Sequence, residues 1–176
     1  MATTRNIIAR LAYGVAITLT LAWVGGAAAA PLLAAHSPDL LAAMVYHAYG
    51  QVCHQIAERS FHLLGHPVAV CGRCLGIYAG YLVGLFIYPF ARRLTREDFP
   101  PRLWLLLALA PVTIDFLGGY AGLFENTLAS RALTGAIAGA AGAFYTLPGF
   151  ISLATSLSGA AAPSSSGGLT SAKESS

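Results

Sequence analysis

The sequence predicts an all-α membrane protein, in which a bundle of about four transmembrane helices carries an amphipathic extracytoplasmic loop with cysteines and histidines. Of the 176 residues, 56% are hydrophobic and only 10% are charged, whereas about a quarter of the residues in soluble proteins are charged. Four apolar runs reach the roughly 20 residues that a helix needs to cross a bilayer. All three cysteines and four of the five histidines lie between His47 and Cys74, so we expect any chemistry there.

The first apolar run covers residues 7–30 and contains one charged residue, Arg10. A cleaved signal peptide is the alternative interpretation, because Arg5 and Arg10 accompany a short apolar core and the small residues 27–30 resemble a cleavage site. Pro31, directly after the alanines, argues against cleavage there. We therefore expect a retained first transmembrane helix.

Residues 36–74 form the predicted cysteine/histidine loop. Within it, residues 39–59 mix apolar and polar side chains at helical spacing, directly after Pro38, which suits the start of a helix. This run is too polar to cross lipid, so we expect an amphipathic helix at the membrane interface. Glycine and proline on the two sides of His66 predict a turn at residues 63–67.

Three further apolar runs predict transmembrane helices at residues 71–90, 103–120 and 128–153. Together with the first helix they form one membrane domain at residues 1–155. Residues 156–176 are mainly Ser, Gly, Ala and Pro, and such a segment has too few large apolar side chains to offset the entropy of ordering. We expect this tail to be disordered.

The basic residues flank the apolar runs unequally, and this asymmetry predicts the orientation. One side of the predicted topology holds seven of them: Arg5, Arg10, Arg92, Arg93, Arg96, Arg102 and Lys173. The other side holds three: Arg59, Arg73 and Arg131. Because positive residues are retained on the cytoplasmic side, we expect both termini in the cytoplasm, a location in the cell (inner) membrane, and the cysteine/histidine loop outside. The net charge of +3 then reflects topology, and we expect no nucleic-acid partner.

Glycines recur every four residues in two of the predicted spans. They are Gly76, Gly80 and Gly84 in the second span, and Gly135 and Gly139 in the fourth. This spacing favours close helix packing where lipid supplies no hydrophobic drive for association. Because a helix turns about 100° per residue, Cys71, Cys74, Tyr78 and Tyr81 lie on one face of the second span, opposite the glycines. The two tyrosines lie deeper in the membrane than the two cysteines.

Asp115 lies inside the third predicted span, four residues after Pro111. An ionisable group near the middle of a bilayer costs about 2.5–3.5 kcal/mol on insertion scales, and it usually faces a bundle interior or wet cavity with a partner. Arg131 and Arg73 are the candidate partners. Three interpretations stay open: a residue that only ties helices together, a protonated carboxyl, or part of a functional site.

The cysteines and histidines predict a metal site, for which zinc is the leading candidate. Cys71 and Cys74 have the spacing of half a zinc knuckle, and Cys53 lies 18 residues earlier, close to the separation of ligand pairs in many zinc sites. Three thiolates and one imidazole would complete a tetrahedral site. The candidates for the fourth ligand are His54, His62 and His66, with His62 or His66 preferred because His54 adjoins Cys53.

The same cysteines allow other chemistry. Cys71 and Cys74 also have the spacing of a thiol redox pair, with Cys53 as a resolving thiol, and an extracytoplasmic location favours disulfides. An odd number of cysteines slightly favours metal over disulfide. Covalent c-type haem is excluded because Leu75, not histidine, follows the second cysteine. The alternative hypothesis is therefore a membrane thiol–disulfide oxidoreductase.

Three short runs carry a resemblance to a known family: Cys53-His54-Gln55, Arg59-Ser60-Phe61 and Cys71-Gly72-Arg73-Cys74-Leu75-Gly76-Ile77-Tyr78. They resemble a family of small prokaryotic integral membrane proteins catalogued as a domain of unknown function. The resemblance covers about residues 40–140 and extends to Pro111, Ile114, Asp115, Glu125, Asn126, Thr127, Leu128, Arg131, Thr134 and Gly135. One departure is Ala57, where the family's pattern has proline.

The resemblance implies a multi-pass membrane protein and supplies no activity, cofactor or substrate. It also implies that Asp115, Arg131 and the cysteine loop belong to one site, which would include the neighbouring polar residues Arg73, Tyr78, Glu125 and Asn126. A third hypothesis is transport of an ion or proton by Asp115. Four spans are few for a carrier, so that hypothesis requires a homo-oligomer in the lipid bilayer.

Overall fold

Five helices and one short hairpin account for most of the chain in a computed structural model that describes residues 2–36, 39–96 and 98–160. The elements in chain order are α1 (Ala2–His36), α2 (Asp39–Gly50), a 3-10 turn (Ala57–Arg59), β1 (His62–Leu63), β2 (His66–Pro67), α3 (Gly72–Ala91), α4 (Arg102–Tyr120) and α5 (Leu128–Ala160).

Four of these helices are long and apolar enough to cross a membrane: Thr3–His36, Gly72–Ala91, Arg102–Tyr120 and Leu128–Gly159. They coincide with the four predicted spans, so the predicted all-α membrane fold is confirmed. The first span is longer than predicted, because Pro31 lies inside α1 rather than ending it. At 1.5 Å per residue its 34 residues extend about 50 Å, more than the roughly 30 Å of a hydrocarbon core.

The amphipathic helix was predicted to cover residues 39–59, but α2 ends nine residues earlier, at Gly50. Glycine is a poor helix former, and Gln55 has a φ of 51°, which lies in the left-handed region and interrupts a right-handed helix. The 3-10 turn follows as a separate element. Leu40, Leu41 and Met44 leave α2 with exposed apolar side chains, which fits a helix at a membrane interface.

The turn predicted at residues 63–67 is present as a β-hairpin. Leu64 and Gly65 have φ values of 53° and 83°, and a two-residue turn with positive φ at both positions matches the twist of the flanking strands. Strands of two residues each were not predicted, because they are too short to show a pattern. Past the hairpin, the Ala69 N–H donates to the carbonyl of Ala27 at 3.2 Å, and this bond attaches the loop to α1.

The glycine stripe of α3 is the surface on which α5 packs. A Cβ added at Gly76, Gly80 or Gly84 would lie 2.2, 2.1 or 2.5 Å from the carbonyl oxygen of Ala132, Ala136 or Ala140. Glycines on α5 match this contact, because added Cβ atoms at Gly135 and Gly139 would lie 2.5 and 2.0 Å from the carbonyl oxygens of Arg73 and Ile77. The two helices therefore run parallel, with their backbones in contact.

The helices bring two different groups of residues to the two ends of the bundle. We call the end with Cys53 and the start of α3 the cysteine end. At the other end, Arg5 donates to the carbonyl of Thr95 at 3.5 Å, and Asp98 forms ion pairs with Arg92 and Arg96 at 2.7 and 2.6 Å.

The chain from residue 156 onward was expected to form a disordered tail. Helix α5 continues to Ala160, so the first five residues of that segment are helical. Residues 161–176 lie outside the described part of the chain.

Candidate metal centre and adjoining polar site

Three thiols from two separate segments meet at the cysteine end. Cys71 is the N-terminal cap of α3, with φ −67° and ψ 160°, and Cys74 lies in the first turn of that helix. Cys53 follows α2 and is 7% exposed. The Sγ atoms of the three residues all lie within 4.8 Å of one another, and all three cysteines are unpaired. The structure therefore brings together the three predicted cysteine ligands.

Backbone contacts hold Cys53 in this position. Its N–H donates to the carbonyl of Tyr49 at 3.0 Å, and its Sγ accepts the N–H of Cys71 at 3.2 Å. Gln55 secures the same region from the other side, because its side-chain amide donates to the carbonyls of Tyr46 and Ala69 at 2.7 and 2.8 Å. One glutamine thus ties α2 to the segment that leads into α3.

The thiols lie against an apolar cluster that α1 and the loop build together. Its buried members are Ala27, Ala30, Tyr49, Cys53, Val68, Ala69 and Val70. Tyr49 reaches α1, where its hydroxyl donates to the carbonyl of Trp23, and the Trp23 and Tyr78 rings meet edge to face at 5.9 Å. The predicted site residue Tyr78 is therefore part of the wall behind the cysteines. Such a wall lowers the local dielectric and strengthens charge–charge interactions at the sulfur atoms.

The start of α3 favours a thiolate at Cys71. A hydrogen bond from the Cys74 thiol is the largest of the effects that lower the pKa of Cys71 to about 5. The backbone N–H groups of Cys74 and Arg73 act in the same direction, while burial opposes them. Cysteines in this position, at a helix N-terminus and paired two residues apart, are thiolates near neutral pH. The site therefore favours an anionic sulfur atom at Cys71.

The three candidate histidines lie around the cluster rather than in it. His54 and His62 are exposed and His66 is half-buried on β2. The Nδ1 of His62 lies 3.1 Å from the carbonyl oxygen of Ser60. Among the described residues, the group of potential metal ligands contains three cysteines and no histidine. Ligation by one of these histidines stays a prediction.

Asp115 is 6% exposed and forms an ion pair with Arg73, which links α4 to α3. The guanidinium group of Arg73 also lies 5.4 Å from the centre of the Phe116 ring. Of the two partners proposed from the sequence, the structure therefore brings Arg73 to the carboxylate. Arg131 instead directs its Nε towards the carbonyl of Asn126 at 3.5 Å. Among the described residues it forms no ion pair with Asp115.

Asn126 packs onto the end of α4. Its side-chain amide donates to the backbone carbonyl of Asp115, and a Cβ added at Gly119 would lie 1.6 Å from its Oδ1. Gly119 is thus required for this contact. Glu125 is exposed at the rim of the same region.

Two residues that the structure places at the site had no predicted role there. Gln55 and Arg59 both belong to the short runs that carry the family resemblance, and that was the available signal. Gln55 makes the two hydrogen bonds described above. Arg59 lines a cavity together with Arg73 and Arg131. The contact of Arg59 with a cavity depends on how the loop folds over the bundle, which residue spacing does not reveal.

Comparison with known proteins agrees with this architecture. Residues 53–145, more than half of the chain, match the family described as "Predicted membrane protein (DUF2085)". An uncharacterized protein of Methanocaldococcus jannaschii is 43% identical over 109 residues, which cover 62% of this chain and 70% of that protein. An uncharacterized protein of Methanothermobacter thermautotrophicus is 35% identical over 96 residues, 54% of this chain and 85% of that protein. No solved structure matches. The chain belongs to the DUF2085 family of predicted membrane proteins.

Proposed function

We propose that this protein is a multi-pass protein of the cell membrane that binds a zinc ion through Cys53, Cys71 and Cys74. The observation that carries the proposal is the approach of three Sγ atoms to within 4.8 Å of one another. Zinc–sulfur bonds of about 2.3 Å in a tetrahedral site place the sulfur atoms about 3.8 Å apart, so a small contraction would complete the geometry. Thiolate sulfur is a ligand that zinc prefers.

The role that fits this ion is structural. None of the residues in the 3-10 turn is buried, and both residues of β1 are exposed, so the part of the loop between Cys53 and Val68 has little apolar core of its own. Closed thiolate-rich zinc sites contribute about 10–16 kcal/mol of apparent folding free energy. A zinc ion held by Cys53 and by the first turn of α3 would fix the loop over the end of the bundle.

The fourth ligand completes the proposal. A water molecule or one of His54, His62 and His66 would occupy the remaining position. His62 and His66 belong to the hairpin strands and are preferred to His54, because adjacent residues such as Cys53 and His54 bind one ion together only with difficulty. A histidine ligand would make the site closed and structural, whereas water would leave the open position that is typical of catalytic zinc.

The orientation is part of the same proposal. Arginines at both ends of the α3–α4 connection and near the start of α1 lie at the end of the bundle opposite the cysteines. By the positive-inside rule this end is cytoplasmic, which places the zinc site outside the cytoplasm.

Elemental analysis of the purified full-length protein tests the metal site. We expect one zinc ion per chain, and loss of most of it in Cys53→Ser and Cys74→Ser variants, because each substitution removes a sulfur ligand. His47→Ala is the matched control, since His47 lies on α2 outside the group of ligand atoms. His54→Ala, His62→Ala and His66→Ala then identify the fourth ligand. Absence of stoichiometric metal, with all three thiols freely reactive, would end the proposal.

A second candidate function is thiol–disulfide exchange, and the low pKa of Cys71, about 5, favours it. The Cys71 thiolate would attack a disulfide of a substrate protein and form a mixed disulfide, releasing one substrate thiolate. Cys74 would then transfer its proton to the departing sulfur and attack Cys71 Sγ, releasing the second substrate thiol and leaving a Cys71–Cys74 disulfide. The substrate is reduced by two electrons and the cysteine pair is oxidised by two.

A trapping experiment separates this function from the metal site. In a Cys53→Ser/Cys74→Ser variant neither neighbouring thiol can resolve the mixed disulfide, so covalent adducts through Cys71 should accumulate in cells and disappear on reduction. A Cys71→Ser variant is the control, because it lacks the attacking thiolate. Zinc retention by the wild-type protein, without adducts in Cys53→Ser/Cys74→Ser, favours the metal site, and adducts without zinc favour exchange.

A further inference from the structure

Three arginines from three separate segments converge beside α4 at the cysteine end. Arg59 comes from the 3-10 turn, Arg73 from the first turn of α3 and Arg131 from the first turn of α5. Together with Asn126 they line a cavity of about 110 Å3. No sequence pattern requires this convergence, because the three positions are separated by 14 and 58 residues.

The charge around this cavity is positive. Arg73 is paired with Asp115, whereas Arg59 and Arg131 form no ion pair within the described part of the chain. The Nε of Arg73 is buried and has no hydrogen-bond partner there either. The N-termini of α3 and α5 lie at the same end, and helix N-termini add partial positive charge. Two cations and one buried donor are therefore left without a matching anion.

The opening of the cavity limits what can enter. The small cavity adjoins a larger one of about 700 Å3, and both are lined by Arg59, Gly119, Asn126 and Arg131. Glu58 and Glu125 line only the larger cavity. Their carboxylates would repel a second anionic group, so the pair of cavities suits a ligand with one anionic group on a neutral remainder.

We propose that the three arginines bind a phosphate group, either as free inorganic phosphate or as part of an anionic lipid headgroup. The planar guanidinium group presents its donors in a fork that matches phosphate oxygens, and such charge-assisted bonds are about twice as strong as neutral ones. A cavity of about 110 Å3 lies well below the roughly 300–1,000 Å3 of pockets for larger organic ligands. It therefore holds the phosphate group alone, while the larger cavity accommodates whatever is attached.

Binding measurements on the purified full-length protein test this proposal. In an uncharged detergent, the probe is inorganic phosphate, followed by calorimetry. In a second arm the protein is placed in bilayers of phosphatidylcholine with or without phosphatidylglycerol, and co-purifying lipid is identified by native mass spectrometry. Arg59→Gln and Arg131→Gln are the test variants, because each removes a cation that has no ion pair. Arg93→Gln is the matched control, since Arg93 is exposed at the opposite end of the bundle.

We expect saturable binding with one phosphate or one phosphatidylglycerol per chain, weakened about ten-fold in each test variant and unchanged in Arg93→Gln. Inorganic phosphate binding supports a free ligand, and selective retention of phosphatidylglycerol without phosphate binding supports a lipid headgroup. If neither inorganic phosphate nor phosphatidylglycerol binds, the proposal is wrong. Binding that Arg59→Gln and Arg131→Gln leave unchanged also overturns it. Unchanged zinc content in all three variants shows that the result does not depend on the metal site.

Discussion

Gln55 positions the thiol of Cys53 without being one of the candidate metal ligands. Its φ of 51° is unfavourable for a residue with a side chain, and the surrounding contacts must offset that strain. The side-chain amide supplies two of these contacts, to the carbonyls of Tyr46 and Ala69. Together they hold the backbone so that Cys53 points towards α3. In the Cys-His-Gln run, Cys53 thus provides the sulfur atom and Gln55 holds the backbone in position, while His54 is exposed.

Asp115 allows a direct test of the buried ion pair with Arg73. Asp115→Asn leaves the arginine, whose side chain is 17% exposed, without its counter-charge. Loss of one partner of a buried pair costs about 3–5 kcal/mol, so we expect a decrease of about 3 kcal/mol in the free energy of unfolding in mixed detergent–denaturant micelles. Asp98→Asn is the matched control, because Asp98 is 54% exposed in its pairs with arginine, and exposed pairs contribute about 1 kcal/mol or less. Equal effects of the two substitutions would contradict a structural role for Asp115.

The pKa of Cys71 predicts how the stability of the metal-free folded protein depends on pH. Folding lowers this pKa to about 5 from the roughly 8.5 of a free thiol, so between these values the unfolded chain binds more protons than the folded one. The Cys71 thiolate therefore contributes stability that is complete above about pH 8.5. That stability is lost as the pH falls through about 5.

Alkylation measures the same property. In metal-free folded protein, iodoacetamide should modify Cys71 at about pH 6.5 nearly as fast as at neutral pH, because most of the residue is already thiolate. Mass spectrometry of the peptide that contains Cys71 gives the rate, and denatured protein is the control, in which the rate should rise about ten-fold per pH unit. A folded-state rate that rises only near pH 8.5 would show that Cys74 and the helix N-terminus do not stabilise the thiolate.

At the scale of the elements, the contact between α3 and α5 organises the bundle. Three glycines on α3 face alanine carbonyls on α5, and glycines on α5 face carbonyls on α3. Small residues matter here because lipid supplies no hydrophobic drive for helix association, so close packing and weak polar contacts must supply it. The parallel pair also sets the site, since it places Cys71 and Arg73 of one helix beside Arg131 of the other.

Gly80 tests this packing. An added Cβ would lie 2.1 Å from the carbonyl oxygen of Ala136, so Gly80→Ala must push the two helices apart. Overpacking of this kind costs about 1–3 kcal/mol, and we expect a corresponding loss of thermal stability in detergent, measured by unfolding. Gly149→Ala is the control, because no atom lies within 4 Å of its added Cβ and alanine is the better helix former. A stable Gly80→Ala protein would show that the two backbones are not in contact.

The same elements show how far the sequence determines the structure. The four spans follow from length and hydropathy, which are local properties, and so does the turn at Gly65. The end of α2 follows only in part, because Gly50 is a local signal, whereas the positive φ of Gln55 is held by side-chain bonds to Tyr46 and Ala69. The choice of Arg73 over Arg131 as partner of Asp115 depends on how three helices rotate about their axes. The spacing of the cysteines predicted that all three would meet, and the folded loop places Cys53 beside Cys71 and Cys74.

At the scale of the whole molecule, the candidate functional residues lie at one end of the bundle, and most of the arginines lie at the other. The thiols, the Arg73–Asp115 pair and the arginine-lined cavity all lie at the cysteine end, while Arg92, Arg93 and Arg96 lie at the other. By the positive-inside rule, this division favours the proposed orientation, in which the arginine-rich end faces the cytoplasm. The compartment that contains the thiols then matters, because an oxidising compartment favours a disulfide and a reducing one favours free thiols that can bind zinc.

Cysteine labelling in intact cells measures that orientation. Leu63 on β1 is 43% exposed and Phe99, before α4, is 58% exposed, so Leu63→Cys and Phe99→Cys each add one accessible thiol at opposite ends. With a maleimide that cannot cross bilayers, Leu63→Cys should gain one label over the wild-type protein in intact cells, as counted by mass spectrometry. Phe99→Cys should gain its label only after lysis, because the proposed topology places the arginine-rich end in the cytoplasm. The reverse pattern would place the thiols in the reducing cytoplasm, where a metal site is favoured over a disulfide, and would contradict the topology proposed above.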